Sequence, residues 1–141
     1  MRLNTKNAFL RVEYCTFCVT LTVGNHLERA FFMKQYYRLD FYVQKTQAAN
    51  VRNAVLDAGA GRLGSYTHCA WETLGRSQRM IPGAPGQAGN VITSEEVKVE
   101  VIVGEDCLQD VIDALIAKHP SEQPVFCCYP VMTGVVEEVT E

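Results

Sequence analysis

The chain has 141 residues, 48% of them hydrophobic and 21% charged, with a formal net charge of −3. That apolar share excludes a mostly disordered chain, and no run of about 18 uncharged apolar residues is long enough to span a bilayer. The acidic balance argues against a phosphate-tracking nucleic-acid surface, which needs clustered Lys and Arg. The length suits one domain with its own core rather than a multidomain enzyme.

Six cysteines (15, 18, 69, 107, 127 and 128) read as reduced, mostly buried thiols of a cytoplasmic protein, because the first residues lack an export-signal pattern. Residues 1–32 carry a net charge of +2, which leaves −5 for the rest. Two readings of 1–32 follow. It is an over-extended reading frame with Met33 as the biological start, or it is a genuine N-terminal arm with one strand over Arg11–Val23.

In chain order, Tyr37, Leu39, Phe41 and Val43 alternate with Arg38, Asp40 and Tyr42, the pattern of a half-buried strand. Lys45–Ala58 reads as a helix whose apolar stripe is Ala48, Val51, Val55 and Ala58. Gly59-Ala60-Gly61 ends it. A second strand is expected over Ser65–Leu74, then a long mobile connection over Gly75–Ser94 that carries Gly83, Gly86, Gly89, Pro82 and Pro85. Val97, Val99, Val101 and Val103 mark a third strand. Leu108, Val111, Ile112, Leu115 and Ile116 stripe a second helix. Glu105 and Asp106 stand at its positive end, Lys118 and His119 at its negative end, and Pro120 stops it. A last strand is expected over Pro124–Val131, and residues 133–141 form an acidic, solvated tail.

The order β-α-β-β-α-β predicts an α+β, ferredoxin-like fold over 33–132, a four-stranded antiparallel sheet with two helices on one face. The uncovered face is expected to be apolar, and so to drive self-association.

Two stretches are distinctive: Ala58-Gly59-Ala60-Gly61-Arg62-Leu63-Gly64-Ser65-Tyr66-Thr67-His68-Cys69-Ala70-Trp71-Glu72-Thr73-Leu74-Gly75 and His119-Pro120-Ser121-Glu122-Gln123-Pro124. Over residues 34–131 the chain resembles the YqfO-type domain, the PII/CutA-like module inserted in the NIF-three-like (NGG-interacting factor) proteins. The resemblance implies a homotrimer with small molecules or metals held near subunit boundaries. It implies no hydrolase activity, because the two-metal site of full-length members belongs to flanking domains. Ser121 and Gln123 replace a tyrosine and a glutamate of the usual second motif, removing an aromatic surface and a carboxylate.

His68, His119 and Glu122 are the candidate ligands for a divalent metal, with Cys69 beside them, since imidazole, thiolate and carboxylate are common zinc and copper donors. The alternative is structural: His119 caps the helix, Glu122 meets backbone donors of the next turn and Cys69 is core. Arg62, Tyr66 and Trp71 are the candidate small-molecule-binding residues. Gly59, Gly61 and Gly64 either cradle an anion or form a cap and tight turn. Cys15-Thr16-Phe17-Cys18 has redox spacing but lies in a strand-like stretch.

The function expected is a non-catalytic binding or regulatory module that senses a metabolite or divalent metal. The enzymatic alternative uses Cys69 or Cys127 as nucleophile with His68 or His119 as base. Nucleic acid is not expected as a partner, because the third strand offers no aromatic for base stacking, and neither is a membrane.

Overall fold

The computed structural model describes residues 11–15, 18–23 and 26–138. Its strands are β1 (Arg11–Cys15), β2 (Cys18–Val23), β3 (His26–Gln44), β4 (Trp71–Ile81), β5 (Asn90–Val103) and β6 (Phe126–Glu138). Its helices are α1 (Ala48–Asp57) and α2 (Leu108–Lys118), the second entered through a 3-10 turn over Glu105–Cys107. Two compact units divide the chain. One is Tyr37–Pro130, and the other holds the described residues before and after it.

In the smaller unit β1 pairs antiparallel with β2, Arg11 opposite Thr22 and Cys15 opposite Cys18, and β2 pairs with the first part of β3. The single strand expected over Arg11–Val23 is therefore two. Residue alternation continues on both sides of a hairpin, so it cannot mark where a chain turns back. Met33 lies inside β3.

The Tyr37–Pro130 unit is the ferredoxin-like domain. β3 is flanked by β5 and β6, and β4 lies outside β5. Register sets the core: Leu39 opposes Val101, Phe41 opposes Val99 and Val43 opposes Val97. These side chains pack with Val51, Val55 and Leu56 of α1 and Val111 and Leu115 of α2. Both helices thus cover one face of the sheet. Ile116 of the expected α2 stripe is instead exposed.

Three further expectations change. The second strand starts at Trp71 rather than Ser65. Gly64 and His68, at φ 56° and 59°, cannot continue an extended backbone, and this outweighs the strand preference of Tyr66 and Thr67. The expected loop Gly75–Ser94 is mostly a hairpin arm, paired from Gly75↔Glu96 to Ile81↔Asn90. Its Gly and Pro punctuation belongs to the tip, residues 82–89. Residues 133–138 of the expected tail belong to β6, which runs on to Glu138; residues 139–141 lie outside the described ones.

The uncovered face is not apolar. Across β3 and β5 it presents Arg38, Asp40 and Tyr42 beside Ile102, Glu100 and Lys98. Arg38 Nε donates to Asp40 Oδ1 at 3.0 Å, and Arg38 also pairs with Glu100. Lys98 Nζ lies 3.3 Å from Asp40 Oδ2 and 2.8 Å from Glu100 Oε1. Asp40 is only 6% exposed, under these partners and the Tyr129 hydroxyl, which donates to Oδ2 at 3.3 Å. The bond to Asp40 holds the Arg38 guanidinium above its ordinary pKa. An apolar surface therefore cannot be what brings copies together on this face.

Candidate functional site

The turn after α1 anchors the first motif. Gly59, Gly61 and Gly64 all take positive φ, the region glycine enters without steric cost. Gly61 N–H donates to the Ile102 carbonyl at 2.7 Å, and Cys69 N–H to the Gly61 carbonyl at 2.9 Å. Leu63 and Tyr66 exchange two backbone bonds of 3.0 Å, closing a tight turn around Gly64-Ser65. The glycines thus serve the cap-and-turn reading. Arg62 and Tyr66 are left exposed.

Trp71 follows at the start of β4, opposite Glu100 on the uncovered face. The residue is 68% exposed, and Nε1 donates to Thr73 Oγ1 at 3.2 Å. Arg38, Trp71, Glu100, Val101 and Ile102 line a groove of about 330 Å³, within the size range of small-molecule sites. Sequence reasoning found Trp71 but missed Arg38, Asp40, Lys98 and Glu100. The available signal was opposite charge at alternate positions on two strands, which only register brings together.

The proposed metal ligands are placed separately. His68 Nε2 lies 3.3 Å from Asp57 Oδ1, beside a pocket lined by Arg52, Asn53, Leu56, Ala70 and Glu72. His119 Nε2 donates to the Tyr42 carbonyl at 2.8 Å, while its Nδ1 accepts the Ser121 N–H at 3.1 Å. A carbonyl only accepts and an amide N–H only donates, so these partners select the neutral Nε2–H tautomer and occupy both ring nitrogens. Gln123 N–H donates to Ser121 Oγ at 3.3 Å. Ser121, where the usual motif has tyrosine, therefore meets the donor expected of Glu122, which is exposed. Among the described residues, no three His, Cys, Asp or Glu side chains gather as a metal site.

His119 thus ties the end of α2 to β3. His119→Ala is expected to cost about 1 kcal/mol, the net worth of a hydrogen bond, read as a lower urea midpoint with an unchanged slope.

Cys69, Cys107, Cys127 and Cys128 are free thiols. Cys69 and Cys107 are half-buried, while Cys127 and Cys128 are exposed rather than core. Cys69 Sγ reaches only the Thr67 carbonyl, at 3.9 Å. Partial burial pushes the Cys128 thiol up from its ordinary value, away from nucleophilic thiolate. No thiol–imidazole hydrogen bond occurs among the described residues.

No family model matches the chain. The GTP cyclohydrolase 1 type 2 homolog of Mycobacterium tuberculosis is 39% identical over 89 residues, 60% of this chain and 24% of the relative. The Bacillus cereus protein related to NIF3 superposes with a TM-score of 0.61 at 32% identity, covering 71% of this chain and 26% of that one. CutA of Archaeoglobus fulgidus gives a TM-score of 0.51 at 15% identity (70% and 84% covered). Bacillus subtilis GlnK, solved with ATP, gives 0.51 at 8% (69% and 82% covered). These last two likenesses show the fold alone.

The class is therefore a PII/CutA-like domain of the ferredoxin-like fold. More particularly, this chain carries the YqfO-type domain of the NIF-three-like proteins, and it spans about a quarter of the length of the curated relatives it matches.

Proposed function

We propose that the chain is a non-catalytic, self-associating binding module of the PII/CutA-like type, a cytoplasmic trimer that senses a small metabolite. The observation that carries self-association is the β4–β5 arm. Leu74, Met80, Ile81 and Val91 are large apolar residues left exposed along it. A two-stranded ribbon is marginal in water by itself, and β4 leaves an open edge of the domain's sheet. Arg76 on β4 stands opposite Glu95 on β5, and Arg79 Nη1 lies 3.7 Å from Glu96 Oε1. A second copy of the arm would meet this one with opposite charges and cover its apolar residues. The likeness to CutA and GlnK supports the module reading at the level of fold.

A small molecule suits the site better than a metal, since His68, His119 and Glu122 would need ligands from a second copy. Cyclohydrolase chemistry is no part of this proposal. The enzymatic alternative finds no nucleophile–base pair among the described residues.

Sedimentation at micromolar concentration tests the proposal, with an assembly of three times the 15.7 kDa chain mass expected. Met80→Asp should weaken assembly roughly tenfold or more, because an apolar side chain that the assembly buries is replaced by a charge. A clean monomer overturns self-association.

A further inference from the structure

We infer that Cys15 and Cys18 form a reversible dithiol–disulfide pair across the end of the β1–β2 hairpin. The inference goes beyond the function proposed above, and both residues lie outside the Tyr37–Pro130 unit. Their spacing, with two residues between, is that of a redox pair. In one continuous strand they would lie about 10 Å apart and on opposite faces. The chain turns back between them instead. Five consecutive pairs run from Arg11↔Thr22 to Cys15↔Cys18, so the cysteines are the last opposed positions of β1 and β2. Opposed positions of an antiparallel pair share one face of the sheet. Their Cα atoms stand roughly 4.5–5.5 Å apart, inside the roughly 4.4–6.8 Å that a disulfide bridges. β3 pairs with the other side of β2 from Cys18↔Phe32 onward, which holds the backbone at Cys18 from both sides.

Among the described residues, no other two cysteines occupy opposed strand positions. Cys127 and Cys128 are neighbours on β6 and leave its opposite faces, while Cys69 and Cys107 lie outside the strands. The oxidant is a small disulfide of the glutathione class. One cysteine thiolate attacks a sulfur of that disulfide, its S–S bond breaks and one small thiolate leaves. The second cysteine thiolate then attacks the mixed disulfide at the protein sulfur. The Cys15–Cys18 bond forms and the second small thiolate leaves. Two protein thiols are oxidised, the small disulfide is reduced to two thiols, and the cysteine protons end on those. Strand pairing raises the effective concentration of one thiol at the other. Folding therefore favours the bridge, and the bridge favours folding to the same extent. In a reducing compartment, reversible pairs of this kind report the level of oxidant.

Peptide mapping of the full-length protein tests the pair. Trypsin cuts after Arg11 and Arg29 and nowhere between, so the peptide Val12–Arg29 holds Cys15, Cys18 and no other cysteine. After millimolar oxidised glutathione and a quench with N-ethylmaleimide, this peptide should be about 2 Da lighter and carry no maleimide. Dithiothreitol before the quench should restore two maleimides. In glutathione buffers the folded protein should form the bridge at an oxidant-to-reductant ratio at least about tenfold lower than in urea. Cys15→Ser should leave Cys18 as a mixed disulfide with glutathione. Two maleimides on the oxidised peptide overturn the inference, as does an equal midpoint in urea. A cross-link from this peptide to Cys127 or Cys128 overturns it too. So does protection from maleimide that a chelator removes, because the pair then holds a metal ion.

Discussion

Gly61→Ala should lower stability by about 3 kcal/mol or more, the range of strained, overpacked backbone sites. A Cβ there would stand 2.5 Å from the Cys69 carbonyl oxygen, 2.6 Å from its nitrogen and 2.9 Å from Leu56 Cδ2, at φ +73°. Two of these neighbours are backbone atoms and cannot rotate away. Relief would break the bonds from Gly61 to Ile102 and from Cys69 to Gly61, freeing the turn that delivers Trp71 to the sheet. Thermal unfolding should show a midpoint lower by roughly 10 °C. Gly75→Ala is the control: its Cβ meets nothing within 4 Å, and it should stay within about 0.5 kcal/mol of the parent. A Gly61→Ala protein that melts with the parent would show that the turn is not packed this way.

Asp40→Ala should cost about 2 kcal/mol. Removing one partner of a buried ion pair costs roughly 3–5 kcal/mol, but the Arg38 and Lys98 side chains are 36% and 33% exposed and regain water when released. Asp40→Asn should cost less, because its carbonyl still accepts from Tyr129. A double-mutant cycle of Asp40→Ala with Lys98→Ala, followed by urea unfolding, should give a coupling of at least about 0.5 kcal/mol. Additive losses would mean that the carboxylate is held by burial alone. The same pair of variants bears on the groove, since Arg38 owes its position to Asp40.

Much of the domain was legible from periodicity. The alternation from Tyr37 to Val43, the valines from 97 to 103 and the stripe Ala48, Val51, Val55 lie where their spacing put them, because burial on one face enforces spacing directly. The hairpin arm was not legible. Its flanks bury almost nothing and leave no apolar alternation, and the glycines and prolines of its tip were read as a loop throughout. The candidate site was half legible. An exposed Trp71 is visible in the sequence, but its neighbours Arg38 and Glu100 are 33 and 29 positions away.

By itself, the sequence determined the order of elements, the two helix faces and the core strands. Each of these follows from local spacing and from glycine's freedom at the end of α1. Only the tertiary structure decided the character of the open face. Whether alternating charges make a hydrated surface or a closed network depends on which strand lies beside which, and in what register. That register sets Asp40 between Arg38 and Lys98, and the same register leaves a groove between Arg38 and Trp71.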